Sequence, residues 1–205
     1  MFISPLNLTP EAIAEIGVAI NRGLFPECVM EILAPMRDRL FEVAKIKTTD
    51  ALPGLRAVMD RTLKGENFEN FKKDFAAATL SNWGPPKGTD RAAELLFHTY
   101  TSIAYALRHY VQMRLMEFNP YWRYVCGDSQ CGHKSLDGLV VPASDPWWDT
   151  HYPPNSFSCD CYVASLLEGQ VQRKAIKSAK KRPVLDFSPE WKYVCTGERT
   201  TLLVP

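Results

Sequence analysis

The side chains best suited to hold a metal ion cluster between residues 126 and 161: Cys126, Cys131, His133, Cys159 and Cys161. Zinc takes four soft or borderline ligands in a tetrahedron, commonly as two close pairs separated by a loop. Cys131-x-His133 and Cys159-x-Cys161 supply two such pairs, at tighter spacing than common zinc fingers have. Cys131, His133, Cys159 and Cys161 are therefore the expected ligands of a structural zinc, with Cys131 the fourth. Cys126, His151 and Cys195 are its possible substitutes. Two other readings stay open: reduced thiols used for packing or left at the surface, and disulfides. A bridge within Cys159-Asp160-Cys161 would be strained.

Catalytic patterns fit poorly, and no enzymatic activity is expected. A zinc deaminase needs His-x-Glu and a later Pro-Cys-x-x-Cys. Here His133-Lys134-Ser135 lacks the acid, and Cys159-Asp160-Cys161 has the wrong spacing. Gly84-Pro85-Pro86-Lys87-Gly88-Thr89 resembles a phosphate loop only superficially, because its two prolines delete amide donors. No Gly-x-Ser-x-Gly turn occurs. A Cys–His nucleophilic pair remains an alternative, since such partners meet only in the fold.

The elements that must position this cluster divide at Pro120. The first 120 residues read as a helical N-terminal body. Thr9 is a natural N-cap, Pro10 suits the first helical position, Gly23 suits the end, and Ile13, Ile16 and Ile20 form a stripe between them. Phe68, Phe71 and Phe75 make a second stripe. A spine helix is expected from near Asp90 to before Asn119-Pro120. Leu96, Tyr100, Ile103, Leu107 and Tyr110 recur along it, and it would be on the order of 40 Å long. Residues 121–205 read as a small α+β module. Tyr121 to Cys126 alternates like a strand, Leu136 to Val141 is a turn running into a β-branched segment, and residues 142–158 form an ordered loop. A last helix is expected from about Tyr162 to Lys181, then a strand-like or irregular tail. Trp122-Arg123-Tyr124-Val125-Cys126 echoes Trp191-Lys192-Tyr193-Val194-Cys195. That echo is short enough to be chance, or the two segments could be paired strands.

Composition narrows the partners. Across 205 residues, 46% are hydrophobic and 23% charged, and Lys plus Arg exceeds Asp plus Glu by 24 to 23. A net charge of +1 creates no global field for nucleic acid or a membrane, so such binding needs a local patch. The one basic run is Arg173, Lys174, Lys177, Lys180, Lys181 and Arg182. It reads either as a solvated helix end or as a non-specific contact with DNA phosphates. Trp147, Trp148, Tyr152 and Phe157 read as a loop-rich core or a protein interface in preference to a stacking platform. No apolar run spans a bilayer, and Met1-Phe2-Ile3-Ser4-Pro5 has no secretory features, so the six Cys are expected in a reducing cytosol. No membrane and no small-molecule substrate is expected.

Taken together, Tyr121-Trp122-Arg123-Tyr124-Val125, His133, Leu136-Asp137-Gly138 and Asp145-Pro146-Trp147-Trp148-Asp149-Thr150 are similar to the pattern of the F-type minor head (head morphogenesis) proteins of Mu-like phages. So are Tyr152-Pro153-Pro154-Asn155 and the following Cys159-x-Cys161. Leu40 to Lys45, Gly65-x-x-Phe68-x-x-Phe71 and the long helix through Thr99, Ala104-Tyr105 and Gln112 agree as well. This chain departs from that pattern at Asp160, where the family usually has Arg, at Ser156, where it has Gly, and in carrying Cys131.

The resemblance implies a minor capsid component made in the host cytoplasm and docked near the portal inside the virion head. It also implies portal and other head proteins as partners, and handling of DNA at packaging or ejection. Domains of this kind also occur fused to toxins. The end of this chain soon after the motif leaves no room expected for such a domain. A packaged toxin-like or nuclease-like effector is the rival reading, and it predicts a catalytic set that the sequence does not display.

Overall fold

The computed structural model describes residues 8–23, 25–46, 52–79, 89–116, 118–127, 132–171, 182–183 and 185–196. Five helices come first: α1 (Pro10–Asn21), α2 (Phe25–Val43), α3 (Leu52–Thr62), α4 (Phe68–Thr79) and α5 (Thr89–Arg114). Thr9 caps α1 by accepting from the Ala12 amide, and Gly23 ends it at φ 72°. Both match the sequence reading. The Phe71 and Phe75 rings stack within α4 and are fully buried against the rest of the core.

The spine is α5, which packs against α1, α2, α3 and α4. Leu96, Tyr100, Ile103, Leu107 and Tyr110 are all buried along it, as their alternating spacings of four and three require. An ion network fixes α2 to α3. Buried Arg37 donates to both Asp60 oxygens at 2.6 and 2.8 Å and to Asp38 at 3.2 Å, and Arg56 also donates to Asp38. No helix among the described residues is long and apolar enough to cross a membrane.

After Pro120 the chain builds a three-stranded antiparallel sheet in the order β2-β1-β3. Its strands are β1 (Tyr121–Val125), β2 (Val140–Pro142) and β3 (Tyr162–Leu166). Short 3-10 turns lie at Lys134–Leu136 and Glu168–Gln170, and a single helical turn, α6, spans Trp148–His151. The fold is thus α+β, with a long spine helix and a small sheet. One hydrophobic cluster runs through the helices and the sheet alike.

Two expectations for the C-terminal region need correction. Tyr162 does not open a helix: Tyr162–Leu166 is the strand β3, and the part of the expected helix at residues 172–181 lies outside the described residues. Pairing with β1 supplies Tyr162–Leu166 with backbone partners and buries Val163, and that outweighs helix propensity. The C-terminal helix is instead α7 (Pro189–Thr196), so the segment from Trp191 to Cys195 is helical and pairs with no strand. Its start has a standard chemistry. Ser188 Oγ accepts from the Trp191 amide at 3.2 Å, Pro189 takes the first position, and Glu190 sits in the first turn. Trp191 and Val194 face inward, and Arg39 of α2 donates to the Val194 carbonyl at 2.8 Å.

The aromatic residues of the loop after β2 pack into the core with Trp122 of β1. Trp122, Trp148 and Tyr152 are fully buried, with Trp122 tilted against Trp148 at 5.5 Å and edge-on to Tyr152 at 5.9 Å. Phe157 is partly buried and packs edge-on to Trp191 at 5.3 Å.

Asp145 organises the loop between β2 and α6. It accepts from the Trp147 amide at 2.9 Å, and from both terminal nitrogens of Arg182 at 2.9 and 2.8 Å. The Arg182 side chain is only 7% exposed. The Arg182 hydrogen bond holds the Asp145 carboxyl below its ordinary pKa. Breaking this pair with Arg182→Ala is expected to cost about 1.5–3 kcal/mol at neutral pH, the range for a hydrogen bond to a charged group. Because the folded pKa is the depressed one, this stability is complete above the unfolded carboxylate value of about 3.9 and is lost as pH falls through the folded value. Urea unfolding of both proteins at pH 7 and pH 3 checks this. The difference between them should shrink at pH 3, and equal stability at pH 7 would refute it.

Candidate metal centre

Strand alternation aims the cysteines inward. Trp122 and Tyr124 of β1 are buried, and Cys126 continues the same face one step past the strand. Val163 of β3 is buried, and Cys161 precedes it at the same parity. Val125 pairs with Tyr162, so Cys126 and Cys161 lie opposite each other just beyond the ladder, with their Sγ atoms 3.5 Å apart.

The Leu136-Asp137-Gly138 segment brings in His133. The Gly138 amide donates to the Tyr124 carbonyl and the Tyr124 amide to the Leu139 carbonyl, both at 2.9 Å. Asp137 Oδ1 accepts from the Cys126 amide at 2.9 Å. These bonds lay the turn along β1, and Leu136 donates back to the His133 carbonyl at 2.9 Å. Gly138 adopts φ 74°, a left-handed conformation that a β-carbon would strain.

Cys159 arrives from the other side. The Ser158 amide donates to Thr99 Oγ1 of α5 at 3.2 Å, tying the loop to the spine helix. Gly127 permits the final approach: a β-carbon there would stand 2.3 Å from the nearest carboxylate oxygen of Asp160.

His133, Cys159 and Cys161 are all buried, and their ligand atoms lie within 4.8 Å of one another. His133 Nδ1 stands 3.4 Å from Cys159 Sγ and 3.9 Å from Cys161 Sγ. Bond lengths of ~2.3 Å to sulfur and ~2.0 Å to nitrogen make the edges of a zinc tetrahedron about 3.5–3.8 Å, so the observed separations suit zinc. The Cys161 thiol is pushed up to about 11 by its hydrogen bond with Cys159 and by burial. A cation would therefore have to displace its proton on binding. A cleft of about 430 Å³ between α5 and residues 152–163 has Cys159, Asp160 and Cys161 on its wall.

Of the other sequence candidates, Cys126 lies beside Cys161, whereas His151 and Cys195 lie elsewhere. Cys131 is outside the described residues. The His151 ring stacks on Trp147 at 4.4 Å, and its Nδ1 lies 2.6 Å from Thr150 Oγ1. Burial keeps its pKa below the ordinary histidine value. Cys195 is on α7, where burial pushes its thiol up to about 12. Of the basic run, Arg182 is paired with Asp145, and the other five residues lie outside the described residues.

Tyr124 and Asn155 also belong to the site, although their residue types alone do not mark them. Asn155, 2% exposed, donates to the Tyr124 hydroxyl at 3.0 Å and to the His151 carbonyl at 2.9 Å. The Tyr124 hydroxyl in turn hydrogen-bonds with Cys161. A hint of this lay in the parity of Tyr124 and Cys126, and in the position of Asn155 four residues before Cys159.

Comparison with known proteins adds identity to this geometry. Residues 55–164 match the family described as Phage Mu protein F like protein. The chain is 32% identical over 163 residues to the Mu-like prophage FluMu F protein of Haemophilus influenzae, covering 72% of this chain and 39% of that protein. It is 29% identical over 167 residues to the putative capsid assembly protein F of Escherichia phage Mu, covering 72% of this chain and 38% of that protein. It thus spans less than two fifths of the length of these relatives. No solved structure matches it. The family match takes in more than half of the chain, from α3 through the spine helix, the sheet and His133, Cys159 and Cys161. On that match, the chain belongs to the Phage Mu protein F like family.

Proposed function

We propose that this chain is a structural component of phage head assembly, docked at the portal inside the head and acting without catalysis. The family match over residues 55–164 carries this reading, and the capsid assembly protein of phage Mu among its relatives supports it. Its partners are then the portal and other head proteins, met in the host cytoplasm and kept in the virion. Within this role the Cys/His cluster holds a structural zinc, which pins a segment whose backbone is mostly irregular between residues 132 and 161. The basic residues Arg173, Lys174, Lys177, Lys180 and Lys181 contact packaged DNA through its phosphates, which needs a local patch and no base readout. DNA binding that is indifferent to salt would remove that contact from the proposal.

The test is an amber codon early in the coding sequence of the parent phage, followed by electron microscopy of lysates. Loss of DNA-filled heads is expected, with recovery in a suppressor host. Normal heads at normal titre would overturn the assembly role. Normal heads that deliver DNA but no longer harm the recipient cell would favour a packaged effector instead.

A further inference from the structure

We infer that Cys126 is the fourth zinc ligand, joining His133, Cys159 and Cys161 in the place that sequence spacing assigned to Cys131. The inference rests on the zinc reading above and specifies its ligand set. The β1–β3 register puts Cys126 Sγ 3.5 Å from Cys161 Sγ, close to the edge of a thiolate-rich tetrahedron. Cys126 is half-buried, and its amide is held by Asp137. Its sulfur lies outside the group whose atoms are mutually within 4.8 Å. It therefore completes the site by rotating about its own side-chain bond while its backbone stays fixed by the ladder and by Asp137. Three ligands are preassembled and the fourth closes over the ion.

The surroundings suit such a site. Three thiolates and a neutral imidazole around Zn²⁺ leave one net negative charge, which hydrogen-bond donors must offset in a buried place. The Asn155–Tyr124–Cys161 chain of hydrogen bonds brings a donor to one sulfur. It does what outer-shell partners do in metal sites: it orients a ligand and steadies its charge. This gives the Tyr152-Pro153-Pro154-Asn155 segment a role in the metal site, since Asn155 is held between Tyr124 and the His151 carbonyl.

Thiol alkylation of the zinc-loaded full chain, with and without chelator, followed by peptide mass mapping, tests the assignment without any variant. Cys126, Cys159 and Cys161 are expected to be protected until chelator is added, while Cys131 reacts equally in both conditions. A competition titration adds affinities. Cys126→Ser should weaken zinc binding by more than the ~10–100-fold that loss of an outer-shell partner costs, and Cys131→Ser should leave it unchanged. Zinc-dependent protection of Cys131 in place of Cys126 would overturn the assignment while the zinc reading stands. Labelling that is the same with and without chelator at every cysteine would overturn both.

Discussion

Stripping zinc from this chain is expected to lower its thermal midpoint by about 8–16 °C. That follows from ~4 kcal/mol of linkage at free zinc near 1,000 times Kd and about 2–4 °C per kcal/mol for a chain of this size. The effect is large because the ligands come from separated parts of the chain. His133 follows a turn laid along β1, Cys161 leads into β3, and Cys159 is tied through Ser158 to Thr99 on α5. The unfolded chain holds no such arrangement, so the binding energy adds to folding energy. Amide exchange should accelerate with chelator first around Cys126 to Asp137 and Cys159 to Val163, next to the ligands. Cys159→Ala should lower the midpoint by a similar amount and abolish the response to chelator. A wild-type midpoint indifferent to chelator, with no zinc in the purified protein, would dispose of the metal site.

Trp122→Ala is the core substitution with the largest expected cost, about 3–5 kcal/mol. Against a typical total stability of about 5–15 kcal/mol, that brings the chain near the point of unfolding. Trp122 is fully buried at the meeting of the sheet, the spine helix and the loop around α6. It lies edge-on to Tyr110 of α5 at 5.9 Å and tilted against Trp148 at 5.5 Å, and the Arg114 guanidinium sits 4.6 Å from its ring. Arg114 in turn donates to the Ala143 carbonyl at 2.6 Å, so removing the indole loosens both neighbouring segments. The indole Nε1 is buried with no hydrogen-bond partner among the described residues. Trp122→Phe, which removes that orphan donor and keeps most of the ring, should therefore cost well under half as much. Chemical denaturation of the two variants checks the order, and equal losses would show that ring volume is not what matters here.

Local features of the chain were legible wherever local chemistry decides structure. Thr9, Pro10 and Gly23 bound α1 because capping and backbone conformation act over a few residues. The inward face of α5 follows from the spacing of Leu96, Tyr100, Ile103, Leu107 and Tyr110, since helical periodicity fixes which side chains share a face. His133, Cys159 and Cys161 were recognisable as potential ligands by type and spacing, and they do come together.

Pairing and partnership were decided by the tertiary structure. The two Trp-x-Tyr-Val-Cys segments show this most clearly: Trp122 to Val125 lies in β1, and Trp191 to Cys195 lies in α7. Their intrinsic preferences are nearly alike. One follows Pro120 and lies between two strands that supply its backbone partners, whereas the other follows the Ser188-Pro189 cap and buries Trp191 and Val194 in the core beside α2. Tyr162–Leu166 became a strand for the same reason, because β1 offered it a partner that no reading of its own residues could include. Likewise, the nearness of Cys126 to Cys161 depends on the β1–β3 register, and the pairing of Arg182 with Asp145 depends on a return of the chain from far along the sequence. Residue types and spacings determined the bounds of α1, the inward face of α5 and which side chains have the chemistry of metal ligands. Strand register and long-range packing, which depend on contacts between distant segments, decided which of those side chains meet.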